Sequence, residues 1–272
     1  MAVALYLGLI TLLAVLLVPA TAVFLQMAGH VKRNYRQKKI PQSLGIVFLP
    51  VYVPAAFWAA RQGLVAKEKL LAVFLLTFGF CLLGFLDDLW GSTVVKGFSG
   101  HFRQFFARGQ ITTGLVKAVL GFGLCLYVVF LLSGLRFLLI FEASLIALSA
   151  NLLNLFDLRP GRALKVFFLF ALFWLLLLPQ EEHILLLFPF FITALVLLPY
   201  DLHGAVMLGD AGANLLGAVL GLAVVLYANF WWQLLFLVLL LSLHLLAERI
   251  SLTGLIARYP LLTYLDRLGR TD

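Results

Sequence analysis

Nine apolar stretches, roughly 3–29, 44–64, 70–86, 113–133, 137–156, 166–179, 184–200, 213–229 and 232–247, leave this chain few folds to choose from. A helix needs about 17–25 mostly apolar residues to cross a bilayer core of about 30 Å. Backbone polar groups in lipid must also be satisfied within the segment, which helices do. Only 12% of the 272 residues are charged and the mean hydropathy is +1.08, whereas a soluble domain carries roughly a quarter charged residues. The pattern predicts an all-α, polytopic transmembrane helix bundle of about nine spans. Residues 1–247 form the membrane domain and 248–272 a cytoplasmic tail, with no separate soluble domain. Cys81 and Cys125 fall inside apolar runs, where cysteine acts as a small packing residue.

The net charge of +8 points to topology rather than to nucleic acid once its distribution is considered. All but four of the twenty Lys and Arg residues lie in or beside the connections 30–43, 87–112, 157–165 and the tail. The four on the other side are Arg61, Lys67, Lys69 and Arg136. Basic residues accumulate on the cytoplasmic side of membrane proteins. This places the N-terminus outside, the C-terminus in the cytoplasm and the chain in the cell membrane. The tail mixes Leu255, Ile256, Tyr259, Leu262, Tyr264, Leu265 and Leu268 with Arg258, Arg267 and Arg270, a composition suited to an amphipathic interfacial helix.

Four polar islands interrupt the apolar pattern on the cytoplasmic side. Asp87-Asp88 ends the third run. Intramembrane acids are costly and usually functional, and two adjacent carboxylates repel unless a cation, a proton or a partner lies between them. They read as half of a divalent-metal site. Asn151-Leu-Leu-Asn154-Leu-Phe-Asp157 sets two amides and a carboxylate three residues apart, along one helix face. These amides bond either to neighbouring helices or to a ligand. Gly209-Asp210-Ala-Gly212 opens the eighth run, where free N–H groups at a helix start would suit a phosphate. The loop 34–45 is basic, and its Lys38 and Lys39 suit either anionic headgroups or a substrate phosphate. Glu181 and Glu182 sit in an external turn and need no more than solvent, and Glu142 is expected to be interfacial or paired.

Carboxylates, amides and cations on one face of a bundle suit a hard cation such as Mg²⁺, which takes one or two carboxylates plus substrate phosphates. Zinc is disfavoured, because His30, His101, His183, His203 and His244 are scattered. The residues alone thus read as metal-assisted phosphoryl chemistry at the cytoplasmic membrane face.

The ordered set Asn34-Tyr-Arg…Ile40-Pro41, Asp87-Asp88 with Lys96-Gly-Phe, Asn151-x-x-Asn154-x-x-Asp157 and Gly209-Asp210-x-Gly212 resembles the polyprenyl-phosphate N-acetylhexosamine-1-phosphate transferase superfamily. Its members include the phospho-N-acetylmuramoyl-pentapeptide translocase and the undecaprenyl-phosphate GlcNAc-1-phosphate transferase. The resemblance implies Mg²⁺-dependent transfer, with Mn²⁺ as a substitute ion, of a sugar-1-phosphate from a UDP-sugar to a polyprenyl phosphate. UMP is released, and the lipid product feeds cell-envelope polysaccharide synthesis. By position it makes Asp210 a metal ligand together with Asp87. One of Asp87 and Asp88 becomes the base or nucleophile, and Asn154 and Asp157 line the cleft with Asn151 alongside. Lys96 and Arg103 become phosphate contacts. A homodimer is compatible with the sequence.

The chain departs from the family pattern at Leu158-Arg159-Pro160-Gly161-Arg162, at Gly91 and at Ala213. It has no histidine-rich loop, with Glu248-Arg249-Ile-Ser-Leu-Thr in that region. The alternative expectation is therefore a non-catalytic relative that binds polyprenyl phosphate or a transferase partner.

Overall fold

The computed structural model describes residues 1–91, 109 and 112–270. Its helices are α1 (Ala2–Met27), α2 (Phe48–Gln62, entered through a 3-10 turn over Leu44–Val47), α3 (Lys67–Trp90), α4 (Thr113–Ser133), α5 (Leu139–Phe156), α6 (Arg162–Leu177), α7 (Glu181–Leu202), α8 (Gly209–Tyr227) and α9 (Phe230–Arg249). Two short helices, α10 (Leu252–Arg258) and α11 (Pro260–Arg267), follow. The protein is an all-α polytopic bundle, with eight helices among the described residues long and apolar enough to cross a membrane.

The expected sixth span corresponds to α6, which has 16 residues and a length of about 24 Å at 1.5 Å per residue. Its ends nevertheless lie at opposite ends of the bundle. The N–H of Gly161, just before α6, donates to Asp201 near the end of α7 at 2.9 Å. The start of α7, three residues after Leu178, meets the start of α3, where Glu182 accepts from the Ala66 N–H at 2.9 Å and pairs with Lys69. Solvent is thus not the only partner of Glu182, contrary to the sequence expectation. Glu142 is paired, with Arg136.

The 30–43 connection is not a plain loop. It forms an antiparallel hairpin of β1 (Val31–Arg33) and β2 (Lys39–Pro41), with Arg33 opposite Lys39 and Lys32 opposite Ile40. Asn34 sets its turn: the Oδ1 atom accepts from the N–H groups of Arg36 and Lys38, and Nδ2 donates to Gly204 O at 3.1 Å.

Helix α8 is the axis of the bundle, buried at every residue from Ala211 to Val224. Its small residues let neighbours approach backbone to backbone, the usual device of membrane helices. Gly45 packs on Gly212, Gly84 on the Asp210–Ala211 peptide, Gly217 on Ser149 and Ala150, and Gly221 on Ile146. A methyl group at Gly217 would overlap the Ser149 carbonyl. Gly217→Ala is therefore expected to destabilise the bundle by about 1–3 kcal/mol, read as a lower midpoint in detergent unfolding. Gly123→Ala, where a methyl meets open space, should leave that midpoint unchanged or raise it.

The tail folds back onto the start of α6. Asp266 accepts from Arg162 at 2.7 and 2.9 Å and from Arg270 at 2.7 Å. Lys165 donates to the carbonyls of Leu265 and Asp266, and Arg270 to that of Pro160. Burial alone would raise the Asp266 carboxyl, but hydrogen bonds and charge from Arg162, then Arg270, hold it below the usual carboxylate range. A depressed folded-state value means the tether is at full strength above the unfolded value of about 4. It weakens as the pH falls through the depressed value. Amide exchange in α11 is thus expected to accelerate only in that acid window, and already at neutral pH in Asp266→Asn.

Candidate functional site

The C-terminal ends of α3 and α5 meet the N-terminal ends of α4 and α8 at one end of the bundle. The same end carries the hairpin, the tail and most of the basic residues. Asp87 and Asp210 both bind Lys117 of α4: its Nζ lies 2.7 Å from Asp87 Oδ2, and it also pairs with Asp210 Oδ2. Asn154 Nδ2 donates to the same Asp210 oxygen at 3.3 Å. The Lys117, Asp87 and Asp210 side chains are 15%, 17% and 27% exposed, so the ammonium is a compact, largely desolvated bridge between two carboxylates.

Asp88 does different work. Its Oδ1 accepts from Gln42 Nε2 at 2.7 Å and from the Asp210 N–H at 3.2 Å. Its Oδ2 accepts from Ser43 Oγ at 2.6 Å and from the Ala211 N–H at 3.3 Å. A carboxylate over the first N–H groups of a helix satisfies orphan donors and complements the helix dipole. Asp88 therefore occupies the helix start that the sequence offered to a phosphate. Gly209 has φ +74°, and a side chain there would strike Asp88 and the Ser43 backbone. Ser43 itself is held in the left-handed region at φ 61°, a strained geometry for a non-glycine residue. Its hydroxyl proton goes to Asp88, so His30 Nε2, 2.8 Å from Ser43 Oγ, must be the protonated ring nitrogen and donate to that oxygen.

Asp157 caps the end of α5. Burial, followed by the negative charges of Asp201, Asp210 and Asp88, pushes its carboxyl well above the usual carboxylate range, against a hydrogen bond from the Gly209 N–H. A carboxyl raised in this way takes up a proton more readily than a free one, a property proton-transfer groups use.

The structure thus brings together Asp87, Asp88, Asp157, Asp210 and Asn154. Asn151, one turn earlier on α5, is half-buried and is not hydrogen-bonded into the cluster. Lys38 and Lys39 lie exposed on the hairpin, with no hydrogen bond or ion pair to the acids among the described residues. Lys96 and Arg103 lie outside the described residues.

Sequence reasoning missed Lys117 as a site residue, although it is the lone charge within an apolar run, itself a functional signal. Asp201, an acid at the end of α7, likewise carries a signal legible in the sequence. Gln42, Ser43 and His30 carry no signal of their own.

Two carboxylates meeting at a point beside an amide make a hard oxygen donor set that suits Mg²⁺ or Mn²⁺. Among the described residues no group of three or more His, Cys, Asp or Glu could enclose an ion, so an ion here would complete its shell with water or phosphate oxygens. An ion bridging Asp87 and Asp210 would compete with the Lys117 ammonium for the same space. No family model matches this chain, and no curated protein matches it either.

Proposed function

We propose that the protein transfers a sugar-1-phosphate from a UDP-sugar to a polyprenyl phosphate at the cytoplasmic face of the membrane, using Mg²⁺ and releasing UMP. The observation that carries this reading is the meeting of Asp87 and Asp210 on Lys117, beside Asn154 and Asp157, at the bundle end richest in cations. Exchange of one phosphoanhydride for another has little net driving force. The protein has to supply positioning and charge neutralisation for the two anionic reactants.

Asp87 and Asp210 would hold the divalent ion, which when bound neutralises charge on the donor diphosphate. Lys117, displaced from between them, would be free to pair with a phosphate oxygen in their place. Asp88 is committed to the start of α8, which leaves Asp87 as the better candidate of the pair to meet the lipid phosphate. Asn154 orients Asp210, and Asp157 can accept or return a proton beside it. The attacking lipid-phosphate oxygen forms the new bond to the β-phosphorus of the donor as the bond to UMP breaks.

The test is the purified protein with undecaprenyl phosphate, Mg²⁺ and radiolabelled UDP-sugars, with UMP measured alongside lipid product. Labelled lipid with stoichiometric UMP is the expected result. Absence of both with every UDP-sugar tried would remove the reading.

The non-catalytic alternative draws on the Lys117 bridge itself, since two acids neutralised by an internal cation are stable with no substrate present. It predicts saturable polyprenyl-phosphate binding without turnover.

A further inference from the structure

The β1–β2 hairpin concentrates Lys32, Arg33, Arg36, Lys38 and Lys39 in a segment without a single acidic residue. Charge of this sign on this side satisfies topology by itself, and a flexible loop would serve that purpose at no structural cost. This segment is not built as one. Asn34 is buried and bonds the turn to Gly204, the Met207 N–H donates to Pro41 O, and Gln42 is fixed both to His30 O and to Asp88. The fold thereby holds Arg33 directly opposite Lys39, both exposed. Like charges at facing strand positions repel. Among the described residues none of Lys32, Arg33, Lys38 and Lys39 is paired with a carboxylate. Holding two cations at facing positions, with no described carboxylate paired to either, is intelligible when an anion from outside the chain completes the pair.

We infer that the hairpin is a docking site for the phosphate-bearing headgroup of an anionic membrane lipid, held between Arg33 and Lys39. Its position in the chain favours a headgroup over a soluble anion. The hairpin begins four residues after α1 ends, and α1 presents Phe24 and Met27 at 63% and 83% exposure on its last turns. In a membrane-spanning helix such residues face acyl chains, which puts the hairpin at headgroup depth. Tyr35 at the turn lies against the guanidinium groups of Arg36 and Arg159, at 5.1 and 5.9 Å. Aromatic residues beside cations are typical of that layer. Neither Arg33 nor Lys39 is ion-paired with the acids of the Asp87–Asp210 cluster, and the inference does not depend on transfer chemistry.

The test uses the full chain in nanodiscs of phosphatidylcholine, with and without phosphatidylglycerol. Lipid retained is counted by native mass spectrometry and unfolding is followed thermally. The wild type is expected to retain phosphatidylglycerol in preference to phosphatidylcholine and to gain thermal stability from it. The double variant Arg33→Gln, Lys39→Gln is expected to bind that lipid about thirty-fold more weakly, at about 1 kcal/mol for each surface charge removed. In phosphatidylcholine alone the variant should melt no lower than the wild type, because a repulsion has been removed. Any of four results would overturn the inference: unchanged retention in the double variant, an equal loss in Arg61→Gln at the far end of the bundle, a lower melting point of the double variant in phosphatidylcholine alone, or displacement of the lipid by inorganic phosphate at constant ionic strength.

Discussion

In the proposed transfer reaction, exchanging Asp210 for Asn is expected to slow turnover by on the order of 10²–10³-fold, comparable to the loss of one preorganised oxyanion-hole donor, with the bundle still folded. Asn has nearly the same shape as Asp and can still accept from Asn154. It carries no charge with which to hold a divalent ion, and it leaves Lys117 facing Asp87 alone. The start of α8 should survive, because Asp88 bonds to the backbone N–H groups of Asp210 and Ala211, which the substitution leaves in place. Single-turnover transfer beside a thermal melt separates the two effects. Full activity in Asp210→Asn would place the ion elsewhere and take Asp210 out of the site.

Lys117→Met should have the largest effect on stability. Removing one partner of a buried charge cluster typically costs about 3–5 kcal/mol, because the remaining charges are left desolvated and unpaired. Here two carboxylates lose the same ammonium at once. With excess Mg²⁺ the variant is expected to recover much of that loss, since the ion can occupy the point between Asp87 and Asp210 that the ammonium vacates. The wild type should gain less from Mg²⁺ because ion and ammonium compete. Unfolding midpoints of both proteins with chelator, Mg²⁺ and Ca²⁺ provide the comparison, with no substrate needed. A destabilised variant that Mg²⁺ fails to rescue would remove the cation from this pair of acids. A variant as stable as the wild type would mean that the Lys117 bridge contributes nothing to the fold.

Asp87 and Asp88 illustrate what adjacency in sequence conceals. Both end the same apolar run, and nothing in the sequence distinguishes them. On α3 they differ by about 100° of helix rotation. That rotation sends Asp87 towards Lys117 of α4 and Asp88 towards Gln42, Ser43 and the start of α8. One becomes part of a charge cluster and the other a cap for a helix more than a hundred residues away. The tail follows the same logic: its amphipathic composition is evident from residues 255–268, but its tether through Asp266 to Arg162 and Arg270 is a long-range contact.

That this chain spans a membrane many times, how its charge is distributed, and which polar residues gather at one end of the bundle can all be read from the order of residues. Each of these follows from the cost of placing charge and bare backbone in lipid, a cost paid residue by residue and so visible in one dimension. Which acids share a cation, that Lys117 is that cation, and that Asp88 closes the helix start otherwise open to a phosphate emerge only from three-dimensional packing. Those outcomes depend on helix rotation and on the close approach allowed by Gly45, Gly84 and Gly212, and packing of that kind is a property of pairs of segments.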